Sequence, residues 1–221
     1  MGTSLAGLAR AGDNARDASG NDPRTLLVVG DSISAEYGLP RGTGWVALLE
    51  QRLAAGYPSW RVANASISGE TSAGGRTRMP RLLERHAPDL VILELGANDA
   101  LRGLALESTR ANLAAMIEAS HEAGATVLLA GMQVPPNYGK AYTTEFANLF
   151  RLLADEFETA LVPFLLSAIA TDQARFQADR IHPNASAQPL MLDTLWPVLE
   201  PLLQAPAATA SGSGSGSRRR N

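Results

Sequence analysis

Between Arg24 and Leu203 the sequence alternates short apolar runs with longer amphipathic stretches, and this alternation constrains the fold more than any other feature. "TLLVVG", "WRVANAS", "DLVILEL", "ATVLLAG" and "TALVPF" read as strands. "DLVILEL" is apolar almost throughout, so it has no solvent face. "GWVALLEQRLAAG" puts Trp45, Leu48, Leu49 and Leu53 on one helical stripe closed by Gly56. "RMPRLLERHAP" predicts a helix broken at Pro88, and "ESTRANLAAMIEASHEAG" an amphipathic helix ending at Gly124. "YTTEFANLFRLLADEF" predicts another, and "SAQPLMLDTLWPVLEPLL" a closing helix kinked near Pro197. Strands buried on both faces and separated by helices imply a parallel sheet covered on both sides. Right-handed crossovers then give an α/β protein, a three-layer αβα sandwich around a central, mostly parallel five-stranded sheet. Ligands of such sheets bind beyond the carboxyl ends of the strands.

The chain has 221 residues, enough for one domain with a sizeable core, expected over residues 23–204. Residues 1–22 read as a flexible leader. Residues 205–221, ending in "SGSGSGSRRRN", read as a Gly/Ser linker with a basic tail; both read as vector remnants. A net charge of -3 offers no global field for nucleic acid or an anionic membrane. No apolar run reaches membrane-spanning length, so stable membrane insertion is not expected. With no cysteine, the chain has no disulfide, zinc–thiolate site or thiol nucleophile.

Four polar clusters fall after predicted strands or near the chain end: "GDSIS", "SISGETSAGG", "GAND" and "ADRIHPN". The helix–strand order puts the first three on one edge of the sheet. Ser32, after the first strand and before a predicted helical turn, is a nucleophile only if a base takes its proton. His86 and His121 lie on predicted helices and read as surface residues. His182 lies in an irregular segment three residues after Asp179, and such an Asp can hold the imidazole by its Nδ1–H. The same spacing also fits an ordinary loop with an Asx turn. Gly69 and Asn98 are candidate donors to an oxyanion, with a plain turn and a helix N-cap as the alternatives. "GETSAGGRT" is no P-loop, having Gly75 where Lys is required, and no G-x-G-x-x-G follows the first strand. A metal site is not expected, since Asp179 and His182 have no evident third ligand.

Taken in order, the four clusters resemble the SGNH (GDSL) hydrolase family over nearly all of residues 24–203. "GDSIS" matches its first block with Ile33 for the usual leucine, and "NASISGETSAGG" its glycine block. "GAND" matches its third block, and "DRIHP" its last, with Arg180 for the common glycine. "ELGANDALRG" and "PPNYGKAYTTEFANLF" are similar to the bacterial thioesterase I / lysophospholipase / arylesterase branch. The resemblance implies a flavodoxin-like SGNH hydrolase fold, Ser32 as nucleophile, His182 as base and Asp179 as its orienter. It implies an oxyanion hole of the Ser32 N–H, the Gly69 N–H and the Asn98 side chain, and a periplasmic or secreted location. It also releases Ser34 from the glycine position of a G-x-S-x-G elbow and lets Ser32 sit at a helix start.

The expected activity is hydrolysis of carboxylic esters, and of thioesters or lysophospholipids, through an acyl-enzyme and without a cofactor. The partner is a small ester or thioester. A carbohydrate O-deacetylase on the same fold, or an inactive binding module, is the alternative. Met132, Val134, Pro135 and Tyr138 are expected to wall an acyl groove, against simple loop packing. Asp31 and Ile181, flanking Ser32 and His182, are assigned to substrate binding with them. Glu94, inside the most apolar strand, is expected to be buried and hydrogen-bonded to the segment carrying Ser32, since a lone ionised carboxylate there would be costly.

Overall fold

The five apolar runs pair into one sheet, and the computed structural model describes residues 23–205. The expectations for the leader and for the tail past residue 205 lie outside the described residues. The strands are β1 (Arg24–Gly30), β2 (Trp60–Asn64), β3 (Leu90–Glu94), β4 (Thr126–Ala130) and β5 (Ala160–Val162). Their order is β2-β1-β3-β4-β5, and every pairing is parallel. Leu26, Leu27, Val28 and Val29 of β1 are fully buried, as are Val91, Ile92 and Leu93 of β3. Both faces of these strands are therefore covered, which is why they read as continuous apolar runs.

Six helices cover the sheet: α1 (Trp45–Gly56), α2 (Ser72–His86), α3 (Ala97–Leu101), α4 (Leu106–Glu122), α5 (Lys140–Phe157) and α6 (Gln188–Gln204). α1 packs on α6, while α4 packs on both α2 and α5, giving the outer layers of the sandwich. The strand order reverses between β1 and β3. Their carboxyl ends flank the crevice where ligands of such sheets sit.

Two elements differ from those expected. Helix α2 begins two turns earlier than expected, at Ser72, and runs through Gly74, Gly75 and Pro80. Tertiary contacts override the poor local propensity. The Thr71 hydroxyl caps the Gly74 N–H, and Asp99 accepts both the Ser72 N–H (2.8 Å) and the Ser72 hydroxyl (2.5 Å). A Cβ on Gly75 would lie 2.4 Å from Leu95 Cδ1, so only glycine lets α2 approach the end of β3 this closely. Second, α3 was not anticipated; five residues are too few to show a period. The closing helix expected around Pro197 is α6, with Pro197 and Pro201 inside it. Each proline forfeits one backbone hydrogen bond. Buried Leu195, Leu199 and Leu203 hold that helix to the core.

Candidate active site

β1 ends at Gly30, and the chain turns at once. Ser34 and Ala35 donate their N–H groups to the Asp31 carbonyl, and Tyr37 donates to the Ser32 carbonyl. Residues 32–38 thus form consecutive turns rather than the regular helix expected to begin at Ser32. Ser32 lies at the head of these turns. Its N–H, like that of Gly69, has no acceptor among the described residues.

Across the crevice, the long loop after β5 brings back His182. Its Nε2 lies 2.9 Å from Ser32 Oγ, and its Nδ1 lies 2.6 Å from Asp179 Oδ2. The other Asp179 oxygen accepts the N–H groups of Ile181 (2.9 Å) and His182 (3.0 Å). Burial would raise the pKa of Asp179, but these hydrogen bonds outweigh it and hold the group at about 2. An ionised carboxylate at Nδ1 puts the ring proton there and leaves Nε2 free to accept the serine proton. The Asx turn considered as the alternative for Asp179 is present too. One carboxylate caps the turn with one oxygen and holds the imidazole with the other.

Asn98 sits in the first turn of α3, where Gly96 takes a positive φ of 111°. Its Nδ2 donates to Asp31 Oδ2 (2.9 Å), which leaves the second amide hydrogen unspent. Asp31 Oδ1 accepts the Ile33 N–H (2.9 Å). Asp31 borders the cleft but is buried, and both its oxygens are occupied. Its bonds orient Asn98 and the serine turn. Burial pushes its pKa up to about 6, against the hydrogen bonds from Ile33 and Asn98. Gly69 has φ of 79°, and its carbonyl accepts from Arg102 Nη2 (2.9 Å). The Ile67 N–H bonds the Gly30 carbonyl (3.0 Å), which docks this loop beside the serine turn.

Beneath the turn lies Glu94, fully buried. One of its oxygens, Oε2, accepts the Ser34 hydroxyl (2.7 Å) and the Asp31 N–H (3.3 Å). A Cβ on Gly30 would fall 2.7 Å from Ser34 Oγ and 2.8 Å from Glu94 Oε2, so glycine there admits this bond. Burial, and then the Asp31 charge, raise the pKa of Glu94 well above the usual carboxylate range. Glu94→Gln should preserve stability and rate, because the Gln oxygen can still accept the Ser34 hydroxyl and the Asp31 N–H. Glu94→Leu should lose about 1–3 kcal/mol for each of the two donors it strands. The pH dependence carries a sign. A carboxyl with a raised folded pKa stabilises the protein below its unfolded pKa, and that stability is lost as pH rises toward the folded value. The thermal midpoint of Glu94→Gln should therefore fall less between pH 5 and pH 8 than that of the wild type. Melts across that range check both points.

A cleft of about 480 Å³ opens from this cluster. Ser32, Asn98 and His182 border it. Met132, Val134, Pro135 and Ile181 line it, together with Leu101, Phe164, Leu166 and Phe176. Tyr138 does not. Its hydroxyl donates to the Leu101 carbonyl (3.1 Å) and its ring stacks on Tyr142, which holds it outside the cleft. Sequence reasoning missed Phe164, Leu166 and Phe176 because the loop after β5 has no period to read. It also missed Tyr37, whose ring centroid lies 4.3 Å from that of His182.

A parallel αβα sandwich with a hydroxyl, an imidazole and a carboxylate in series at its carboxyl edge is the arrangement of a serine hydrolase. The sequence profile of the GDSL-like lipase/acylhydrolase family matches residues 28–188, and the chain belongs to that family. It is 52% identical over 180 residues to the esterase TesA of Pseudomonas aeruginosa, covering 81% of this chain and 90% of that one. A crystal structure of TesA, 52% identical, matches with a TM-score of 0.79 over 81% of this chain and 99% of that one. Identity is 42% over 164 residues to the arylesterase of Vibrio mimicus, covering 74% of this chain and 82% of that one. It is 39% over 183 residues to thioesterase 1/protease 1/lysophospholipase L1 of Escherichia coli K12, covering 81% and 85%.

Proposed function

We propose that this ester hydrolase works through an acyl-enzyme on Ser32, with acyl esters, aryl esters, thioesters and lysophospholipids as its substrate classes. The observation that carries the reading is the unbroken series from Ser32 Oγ through the His182 ring to Asp179, with contacts of 2.9 Å and 2.6 Å. His182 Nε2 takes the Ser32 proton as Oγ attacks the acyl carbonyl. Negative charge gathers on the carbonyl oxygen and is met by the Ser32 N–H, the Gly69 N–H and the free Asn98 amide hydrogen. The imidazolium, steadied by Asp179, then protonates the departing alcohol or thiol. Water repeats the sequence on the acyl-enzyme, which returns Ser32 and releases the acid. The names of the relatives support aryl esters, thioesters and lysophospholipids.

The apolar wall from Met132 to Ile181 favours acyl chains over an acetyl-sized site, and so favours this reading over a carbohydrate O-deacetylase. A chain-length series of nitrophenyl esters tests it. Each methylene buried is worth about 0.8 kcal/mol, so kcat/KM should climb from acetate by up to about fourfold per carbon until the cleft is filled. Highest activity on acetate with a steep loss for longer chains would favour the deacetylase. A periplasmic or secreted location, and a role in lipid metabolism, are proposed with this reading on the strength of the family resemblance; cell fractionation tests the location. No helix among the described residues is long and apolar enough to cross a membrane.

A further inference from the structure

Tyr37 is half exposed, at 49%, yet its backbone is held at both ends. Its N–H donates to the Ser32 carbonyl (3.3 Å), and its carbonyl accepts from Gln177 Nε2 (2.8 Å). The residues on either side, Glu36 and Gly38, have positive φ of 58° and 70°. A Cβ on Gly38 would fall 2.1 Å from Gln177 Oε1, so glycine there leaves the space that the Gln177 carboxamide fills. Gln177 also grips the other loop. Its N–H donates to the His182 carbonyl (2.8 Å), and Nε2 donates to the Pro183 carbonyl (3.1 Å). A single side chain thus ties the turn that carries Ser32 to the loop that carries His182. The tie leaves the Tyr37 ring against the His182 ring, tilted by 38°.

We infer that Tyr37 and Gln177 form a clamp that positions His182: Gln177 fixes the distance between the two loops, and the Tyr37 ring supports the imidazole and favours its charged form. The inference rests on His182 acting as the base. Its physical ground is the negative face of the aromatic ring, which attracts a cation and repays the imidazolium formed during attack. The other groups facing His182 are the Asp179 carboxylate at Nδ1, the Ser32 hydroxyl at Nε2, and the Asp31 charge within electrostatic reach; Arg180 borders the same cleft. Substitution of Tyr37 leaves all of them in place. The sign follows. Without the ring the imidazolium is less favoured, so the acidic limb of the rate profile moves to lower pH while the plateau rate falls.

The test is the pH profile of kcat/KM for a nitrophenyl ester in Tyr37→Ala, Tyr37→Phe and Gln177→Leu, with a ring-proton NMR titration of His182. Tyr37→Ala should lower the plateau roughly fivefold to tenfold and move the acidic limb down by about half a pH unit. Tyr37→Phe keeps the ring and should rescue both. Gln177→Leu frees the Tyr37 carbonyl and should reproduce both changes in weaker form. A Tyr37→Ala plateau within twofold of wild type with an unmoved limb would overturn the clamp. So would a Tyr37→Phe variant as impaired as Tyr37→Ala. The NMR midpoint decides the case even if a variant loses turnover for other reasons: an unshifted His182 midpoint in Tyr37→Ala overturns the ring's role. Labelling of Ser32 by a fluorophosphonate in the wild type and in His182→Ala is read separately, so failure of the base assignment, seen as undiminished labelling without His182, is distinguishable from failure of the clamp.

Discussion

Ser32→Ala is expected to reduce ester turnover by roughly 10⁴-fold or more while leaving the thermal midpoint near that of the wild type. The rate loss follows from the proposed acyl-enzyme: without Oγ there is no atom for His182 to activate, and only binding and the oxyanion donors remain. The fold should survive because the hydroxyl contributes no structural bond beyond its contact with His182 Nε2. The turn is held instead by backbone bonds to Asp31 and by the Ser34–Glu94 bond, none of which involves the Ser32 side chain. Initial rates and a melt check both halves. Retained turnover would remove Ser32 from the mechanism, and a collapsed melt would make the rate loss uninformative, in which case Ser32→Gly is the variant to measure.

Asn98→Ala is expected to lower kcat by about 10²- to 10³-fold with little change in KM. A donor aimed at the developing oxyanion acts mainly in the transition state, so its loss should appear in the chemical step rather than in ground-state binding. The structure adds a reason to expect the high end of that range. Asn98 is held by Asp31, and Asp99 beside it is anchored by Ser72 and Thr109, so the amide is fixed before substrate arrives. Removing Asn98 also strands one oxygen of buried Asp31. The stability of the variant should be measured alongside its kinetics. A change confined to KM would make Asn98 a substrate contact, as its N-terminal place in α3 would also permit.

The parts of this fold that could be read from sequence are those whose signal is periodic or local. Five runs give five strands, most plainly β1 and β3, because a strand buried on both faces leaves no polar position to confuse it. The Asp179–His182 spacing could be read because three residues suffice for a carboxylate to fold back on an imidazole. Glu94 could be placed in the core because a carboxyl in "DLVILEL" has nowhere else to go. Other features depend on contacts between distant segments. The first turns of α2 look like a glycine loop until Asp99, 27 positions beyond Ser72, anchors them. The bond from Asn98 to Asp31 joins segments that no local pattern links. Tyr138 belongs by position to the loop that walls the cleft, but its hydroxyl turns to the Leu101 carbonyl. Gln177 carries no motif, and its role emerges only when the fold brings it to Tyr37, 140 positions away.

The most direct test of the central claim is chemical rather than kinetic. The protein should be treated with a fluorophosphonate, digested, and the modified peptide identified by mass spectrometry. The account predicts one adduct, on the peptide containing Ser32, formed by the wild type and absent from both Ser32→Ala and protein saturated with a slowly hydrolysed ester. An adduct on a different serine, or no adduct on protein that still hydrolyses esters, would contradict an acyl-enzyme at Ser32.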